Sequence, residues 1–157
     1  MDVLTPQQRS HCMSRISGKN TKPEMLVRKA LFALGLRYRL HRKDLPGTPD
    51  LVFPSLKAVI LIHGCFWHGH GCDLFVVPQT NRGFWIRKIE GNRARDRKAV
   101  QRLRKLGWRV LIVWECAIRG VHRQPIEVLT SRIHRWLVEG RTNSTIPQGR
   151  HLQKDIC

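Results

Sequence analysis

The chain has 157 residues, of which 29 are lysine or arginine and 11 are aspartate or glutamate, so its formal net charge is +18. With 41% hydrophobic residues, a chain of this length can form one domain with a real core, which excludes wholesale disorder. It has neither a long apolar run nor an apolar secretory signal, so we expect a cytoplasmic protein. The charge predicts a polyanionic partner, with nucleic acid ahead of an anionic membrane surface.

Helices and strands are predicted in chain order from the hydrophobic periodicity. Residues 1–20 are polar and basic, and they are predicted to form an arm or a short helix. The segment Thr21-Lys22-Pro23-Glu24 is typical of a capping box, and it begins a helix that ends at Gly35. The later elements are a strand at 36–40, a turn at 45–49, strands at 50–53 and 56–62, a helix at 84–106, a strand at 108–114 and a helix at 124–138.

This order predicts a single α/β domain over residues 21–140, with a central mixed β-sheet flanked by helices. The strand at 56–62 is apolar almost throughout, so we expect it near the centre of the sheet. Residues 141–157 lack periodicity and are predicted to form a mobile C-terminal tail.

The positive charge is concentrated in two stretches. Residues 9–43 contain ten lysines and arginines and one acid, and residues 82–105 contain another ten with two acids. Two such stretches could form the two walls of a groove for a polyanion, and the alternative is a pair of solvated helix faces. We favour nucleic acid because the local deficit of acids is so large.

A cluster of cysteine and histidine is the first candidate site. Five cysteines without a secretory signal argue against a disulfide framework, and Cys12 and Cys157 are expected to be unpaired thiols. Three thiolates and one imidazole complete a tetrahedral zinc site if the strand at 108–114 lies beside that at 56–62. The alternative is buried free cysteines with a surface histidine. The predicted zinc ligands are Cys65, His70, Cys72 and Cys116.

The long helix carries two polar residues on its apolar face. Burying Asn92 and Asp96 is costly unless they are paired, so we expect that they face a cleft in which they meet a histidine or a ligand. A paired network within the core is the alternative. The face is defined by residues spaced four and three apart, namely Trp85, Ile89, Asn92, Asp96, Ala99 and Leu103.

Asp50 and two aromatic pairs are further candidates. Asp50 lies at the start of a strand, where it suits a divalent metal ion, although an ordinary turn aspartate is the alternative reading. The segments 63–68 (HGCFWH) and 84–85 (FW) each contain two adjacent aromatics. In a strongly basic chain these pairs favour stacking on nucleic-acid bases, whereas inward packing is the alternative.

Together these motifs resemble the very short patch repair endonucleases, which nick DNA beside a thymine–guanine mismatch. The resemblance runs from about residue 9 to about residue 120, and the string at 63–72 is its most specific part. It implies a restriction-endonuclease-like fold, catalysis with Mg²⁺ and a structural Zn²⁺ held by the four ligands already named. It is carried by Ser14-Arg15-Ile16, Leu45-Pro46-Gly47-Thr48-Pro49-Asp50, His63-Gly64-Cys65-Phe66-Trp67-His68, Phe84-Trp85, Lys88-Ile89, Asn92, Arg95-Asp96, Gly107-Trp108-Arg109-Val110 and Trp114-Glu115-Cys116-Ala117.

The resemblance also implies roles for individual residues. Asp50 and the backbone carbonyl of Ile62 would hold one or two Mg²⁺, and His68 would be the general base, oriented by Asp96. Three aromatics would enter the base stack from the major groove, two arm residues would approach from the minor groove, and two polar residues would lie near the mismatched pair. The major-groove aromatics are Phe66, Trp67 and Trp85. The minor-groove residues of the arm are Met13 and Ile16, and the polar residues near the mismatch are Lys88 and Asn92.

Two further residues and one departure complete this reading. His63 and Glu24 would hold waters bound to the metal, although Glu24 has a competing explanation because it completes the capping box with Thr21. Many nucleases of this fold carry an acid and a lysine on the strand that follows the metal-binding aspartate. The corresponding residues here, at 60–63, read ILIH and include neither. Ile62 stands where the family has a threonine, so the chain keeps the carbonyl and loses a hydroxyl.

The function that follows is Mg²⁺-dependent nicking of one strand 5′ to the thymine of a T:G mismatch, which arises by deamination of 5-methylcytosine. This nick would initiate very short patch repair. Two alternatives stay open, a restriction-type endonuclease that cuts fully paired DNA and a zinc-stabilised DNA-binding protein without catalysis. Mismatch-repair factors are implied as partners by the resemblance only, and we expect a monomer acting at the bacterial nucleoid.

Overall fold

The computed structural model describes residues 5–148, which form a mixed β-sheet flanked by helices. The helices are α1 (Pro6–Ser14), α2 (Lys22–Ala33), α3 (Arg82–Lys105) and α4 (Ile126–Glu139), with short 3₁₀ turns at Pro54–Leu56 and Glu115–Ala117. The strands are β1 (Arg39–Leu40), β2 (Leu51–Phe53), β3 (Ala58–His63), β4 (Arg109–Trp114) and β5 (Ser144–Ile146).

The strands follow one another across the sheet in chain order, so β3 is central as expected. The pairs β1–β2 and β2–β3 are antiparallel, whereas β3–β4 and β4–β5 are parallel. In the last register pair of β3 and β4, His63 lies beside Trp114. The two segments that follow these strands therefore leave the same edge of the sheet as neighbours.

Apolar side chains are buried on both faces of the sheet. Along β3, Ala58 and Ile60 pack with residues of α2 and α4, whereas Val59 and Leu61 pack with Leu103 of α3. This arrangement confirms the predicted α/β domain with a central mixed sheet flanked by helices; its assignment to the restriction-endonuclease-like fold stays a prediction. No helix within residues 5–148 is long and apolar enough to cross a membrane.

The predicted strand at 36–40 is shorter in the structure than the alternation suggested. The Leu36 N–H still bonds to the Leu31 carbonyl at the end of α2, and the Tyr38 hydroxyl donates to the Arg28 carbonyl at 2.7 Å. These bonds tie the segment to α2, and only Arg39–Leu40 pairs with β2.

Part of the segment 141–157, which was predicted to form a mobile C-terminal tail, belongs to the sheet. Ser144–Ile146 forms β5, which pairs with β4 in parallel. A strand of three residues is too short to show periodicity, and its partner is more than thirty residues away in the sequence. Residues 149–157, with Cys157, and residues 1–4 of the arm lie outside the described residues.

Arg109, at the start of β4, binds the C-terminal end of α4. Its guanidinium donates to the carbonyls of Trp136 and Leu137, both at 2.9 Å, and of Gly140 at 2.7 Å. A further bond of 3.2 Å reaches the Leu56 carbonyl. The final carbonyls of a helix lack partners within it and favour a positive charge, so Arg109 joins α4 to the sheet.

We expect Arg109→Met to lower the free energy of unfolding by about 3 kcal/mol, because it removes several hydrogen bonds that carry charge. Arg104→Met is the matched control, since Arg104 is an exposed side chain of α3. Urea unfolding followed by circular dichroism measures both variants. Equal unfolding midpoints would contradict the role given to Arg109.

Candidate active site

The candidate site lies at the carboxyl ends of β3 and β4, where two parallel strands end side by side. Cys65 follows β3 by two residues, and Cys116 follows β4 by two residues. The Cys116 N–H donates to Cys65 Sγ at 3.3 Å. The two strands are therefore neighbours, which is the condition that the zinc prediction required.

The predicted zinc ligands converge in the structure, with their ligand atoms all within 4.8 Å of one another. His70 Nδ1 lies 3.5 Å from Cys65 Sγ and 3.5 Å from Cys116 Sγ. A hydrogen bond with Cys116, together with burial, raises the pKa of the Cys65 thiol, and burial raises the pKa of Cys72. These thiols are costly to ionise without a cation, and three sulfurs with one imidazole suit a tetrahedral metal ion. The cluster can therefore hold a metal.

Two residues beside this cluster, Trp114 and Glu115, belong to the strings that carry the resemblance but were given no role of their own. The Trp114 ring stacks on His70 with centroids 4.1 Å apart, and it meets His63 edge-on at 5.3 Å. The Glu115 carboxylate accepts a hydrogen bond from the Cys65 N–H at 3.1 Å. Their position directly before Cys116 was the available signal, and their contacts hold the loop that carries the ligands.

Asp50 immediately precedes β2 and lies against the end of β3. Its Oδ2 accepts a hydrogen bond from the Ile62 N–H at 2.7 Å, which fixes the carboxylate beside the Ile62 backbone. Burial raises the pKa of Asp50 to about 6, and the nearby Glu24 carboxylate adds to the shift. A divalent cation stabilises the ionised form of a buried carboxylate that lies next to a second carboxylate. The structure therefore suits Asp50 as a metal ligand.

Glu24 is 1% exposed, and its carboxylate is surrounded by donors. Oε2 accepts from the Asn20 N–H at 2.8 Å, and Oε1 lies 3.2 Å from Arg28 and 2.7 Å from His41 Nε2. Thr21 caps α2 by accepting from the Glu24 N–H at 3.4 Å. The capping box is incomplete, because Glu24 bonds to the backbone of Asn20 rather than to that of Thr21. Glu24 therefore does more than cap a helix.

His41 is the site residue that sequence reasoning missed. Its ring Nε2 lies 3.9 Å from Asp50 Oδ1, and its backbone N–H donates to the backbone carbonyl of Asp50 at 3.3 Å. The ligand atoms of Glu24, His41 and Asp50 are all within 4.8 Å of one another. Glu24 and His41 are 17 residues apart on different elements, so no spacing rule connects them.

We expect Asp50→Asn to stabilise the folded protein at pH 7 when no divalent cation is added. A folded-state pKa of about 6, above the ordinary 3.8, means that the folded protein binds this proton more tightly than the unfolded chain. The resulting stability is present below about pH 4 and is lost as the pH rises through 6. The variant avoids this loss, so its free energy of unfolding at pH 7 is expected to rise by about 3 kcal/mol.

Urea unfolding at pH 7 and near pH 4 measures this effect. The gain is expected to shrink at the lower pH, because Asp50 is then protonated in the folded protein and about half protonated in the unfolded chain. A loss of stability at pH 7, or an equal effect at both pH values, would contradict the assigned electrostatics.

His68 pairs with the acid on the apolar face of α3. Its Nδ1 lies 2.6 Å from Asp96 Oδ2, and its ring stacks on His63 with centroids 3.8 Å apart. His63 Nδ1 is buried without a hydrogen-bond partner among the described residues. Burial, and secondly His68, lowers the pKa of His63 to about 3, so His63 is neutral at pH 7. With Nδ1 held by the carboxylate, His68 Nε2 is the nitrogen that can accept a proton.

The arm and the aromatic loop form the walls of one groove of about 640 Å³. Phe66 and Trp67 are half-buried in one wall, and Trp85 packs edge-on against them with only 9% exposure. Met13 of α1 and the exposed Ile16 lie on the arm side. The same groove is lined by three residues of the proposed catalytic set, Ile62, His68 and Asp96.

Asn92 and Lys88 of α3 contact the aromatic loop. Asn92 Nδ2 donates to the Trp67 carbonyl at 2.8 Å, and its Oδ1 accepts from Arg95. Lys88 Nζ lies 5.7 Å from the ring centroid of Trp67 and 5.8 Å from that of Phe84. These contacts position the loop, while a contact with a mismatched pair stays a prediction for both residues.

Comparison with known proteins points to one family. The model of the family described as DNA mismatch endonuclease Vsr matches residues 1–74. The DNA mismatch endonuclease Vsr of Escherichia coli (strain K12) is 45% identical over 152 residues, which cover 96% of this chain and 97% of that protein. The type II nicking enzyme V.XorIIP of Xanthomonas oryzae pv. oryzae is 51% identical over 117 residues, covering 74% and 86%. The type II nicking enzyme V.NmeAIP of Neisseria meningitidis is 47% identical over 119 residues, covering 76% and 85%.

Proposed function

This chain belongs to the DNA mismatch endonuclease Vsr family, and we propose that it nicks one strand of duplex DNA 5′ to the thymine of a T:G mismatch. It is a DNA endonuclease of the hydrolase class. The proposal of nicking at a T:G mismatch rests on the shared groove, in which aromatics able to enter a base stack lie beside the His68–Asp96 pair. One chain provides all of these groups, so a monomer suffices for an asymmetric mismatch.

Asp50 and the backbone carbonyl of Ile62 would hold Mg²⁺, with Glu24 and His63 binding waters of the ion. Mg²⁺ keeps several waters in proteins, so few protein ligands suffice. When bound, the ion would supply positive charge to the phosphate and to the leaving 3′ oxygen. The support is the buried Asp50 carboxylate, which is fixed by the Ile62 N–H and lies near a second buried carboxylate.

His68 would accept the proton of the attacking water. Asp96 fixes Nδ1 at 2.6 Å, which directs Nε2 to that proton and stabilises the imidazolium as it forms. His63 packs against the His68 ring without adding a positive charge, because burial keeps it neutral at pH 7. This pair supplies general-base catalysis from the chain's own residues.

The groove gives a physical basis for selecting a mismatch. Inserting Phe66, Trp67 and Trp85 between base steps would cost a few kcal/mol of unstacking. A T:G wobble pair is already distorted, so opening it costs less than opening a Watson–Crick pair. Met13 and Ile16 on the facing wall would approach the same step from the minor groove. Selection would therefore come from the cost of deforming the duplex, and contacts from Lys88 and Asn92 would add to it.

The Cys/His cluster would hold a structural Zn²⁺ in this account. Its ligands come from the loop after β3 and from the turn after β4, so the ion would fasten the aromatic loop to the sheet. The basic stretches at 9–43 and 82–105 would hold the phosphates and set the register of the duplex without selecting its sequence.

Nicking of two duplexes that differ only in one base pair tests the proposal. With Mg²⁺ present, a T:G duplex is expected to be nicked at least about 100-fold faster than its T:A counterpart, and chelation of Mg²⁺ is expected to stop both reactions. Equal rates on the two duplexes would favour a restriction-type nuclease. Tight binding without Mg²⁺-dependent strand breakage would favour a DNA-binding protein without catalysis.

A further inference from the structure

We propose that His41 is a nitrogen ligand of the divalent ion held at Asp50, so that this site favours first-row transition ions over Mg²⁺. This inference rests on the proposed function, because it concerns the same ion. The mechanism above uses Asp50, Ile62 and Glu24 and leaves His41 without a task.

The geometry brings three donor atoms together from three separate parts of the fold. Glu24 lies in α2, His41 directly follows β1, and Asp50 directly precedes β2. His41 Nε2 is 2.7 Å from Glu24 Oε1 and 3.9 Å from Asp50 Oδ1. Neighbouring ligands of a six-coordinate ion are separated by about 3 Å, so these separations bracket the value that one shared ion requires.

Burial and charge both favour an ion at this point. The side chains of His41 and Asp50 are 13% and 16% exposed, and that of Glu24 is 2% exposed. Two carboxylates this close in a buried position repel each other, which contributes to the raised pKa of Asp50. A divalent cation between them would offset that repulsion. A transition ion would bind Glu24 directly rather than through a water, and the imidazole would complete a donor set of two carboxylates and one nitrogen.

The nitrogen ligand determines which divalent ions bind more tightly at this site. Mg²⁺ binds oxygen ligands, so it would use Asp50, the Ile62 carbonyl and water, with Glu24 holding one of these waters. First-row transition ions also accept imidazole, so their affinity would rise when His41 joins the set. If His41 only holds Glu24 by a hydrogen bond, replacing it should alter the affinity for all divalent ions alike.

The test uses Mn²⁺ as a paramagnetic probe of the full-length protein. Bound Mn²⁺ is expected to show the ¹⁴N hyperfine coupling of a coordinated imidazole in electron spin-echo spectra. In His41→Gln this coupling is expected to disappear, and the Kd for Mn²⁺ is expected to rise about tenfold while the Kd for Mg²⁺ changes little. Glutamine is chosen because its amide can still donate to Glu24. His122→Gln, which changes an exposed histidine, is the matched control.

The outcomes separate this inference from the function on which it rests. Wild-type protein without ¹⁴N coupling, or coupling that survives in His41→Gln, would overturn the role of His41. Loss of Mn²⁺ binding in Asp50→Asn with no effect of His41→Gln would do the same and leave the Asp50 metal site intact. Mn²⁺ binding that persists in Asp50→Asn, or is absent from the wild type, would overturn both the role of His41 and the proposal that Asp50 holds the catalytic ion.

Discussion

Asp50→Asn is expected to abolish nicking of a T:G duplex, with a loss of at least about 10³-fold in the single-turnover rate constant. The substitution keeps the side chain's shape and its ability to accept the Ile62 N–H bond, but it removes the negative charge that would attract Mg²⁺. Denaturing gels of an end-labelled duplex measure the rate, and fluorescence anisotropy measures the affinity for the same duplex. The affinity is expected to change little, because the basic stretches hold the phosphates.

Asp44→Asn is the matched control for this variant. Asp44 lies in the same loop, is exposed, and pairs with Arg42 at the surface. It is therefore expected to nick at the wild-type rate. Full activity of Asp50→Asn would remove Asp50 from the catalytic set, and an equal loss in both variants would show that the loop tolerates no change of charge.

Cys116→Ser is expected to abolish zinc binding at the Cys/His cluster and to lower the free energy of unfolding by at least about 4 kcal/mol. Cys116 is 6% exposed, and its sulfur would be the ligand that joins β4 to the loop carrying Cys65, His70 and Cys72. Serine keeps the size of the side chain but is a poor ligand for Zn²⁺. Elemental analysis of the purified protein measures the metal content, and urea unfolding measures the stability.

Cys12→Ser is the matched control, because Cys12 is an exposed free cysteine of α1. It is expected to retain near-stoichiometric zinc and wild-type stability. Wild-type protein that is folded without any bound zinc would contradict the structural role of the cluster, whatever the variants do.

Much of the Cys/His cluster and of the His68–Asp96 pair could be predicted because short-range patterns encode them. Cys65, His70 and Cys72 lie within eight residues, and the apolar strands on which Cys65 and Cys116 depend are recognisable from composition. Asp96 was conspicuous because it interrupts an apolar face of α3, and the structure gives it His68 as a partner. A polar residue that breaks a helical pattern therefore carries information about what lies opposite.

The remaining features depend on contacts between distant segments. His41 reaches Glu24 and Asp50 only after β1 and β2 have paired, and the alternation at 36–40 just before it indicates a strand rather than a site. β5 pairs with β4 in parallel, and its three residues are too few for periodicity to predict that pairing. Glu24 satisfied the capping-box pattern, yet the fold directs its carboxylate into a buried cluster. Local patterns thus located the loops, and tertiary pairing determined which side chains meet.

Mapping the cut on a T:G duplex labelled on both strands is the most direct test of the account as a whole. With Mg²⁺ present, we expect one cut on the thymine strand, 5′ to the mispaired thymine. The downstream fragment is expected to carry a 5′ phosphate, and the guanine strand is expected to stay intact. Cuts on both strands, or cuts at positions unrelated to the mismatch, would contradict it.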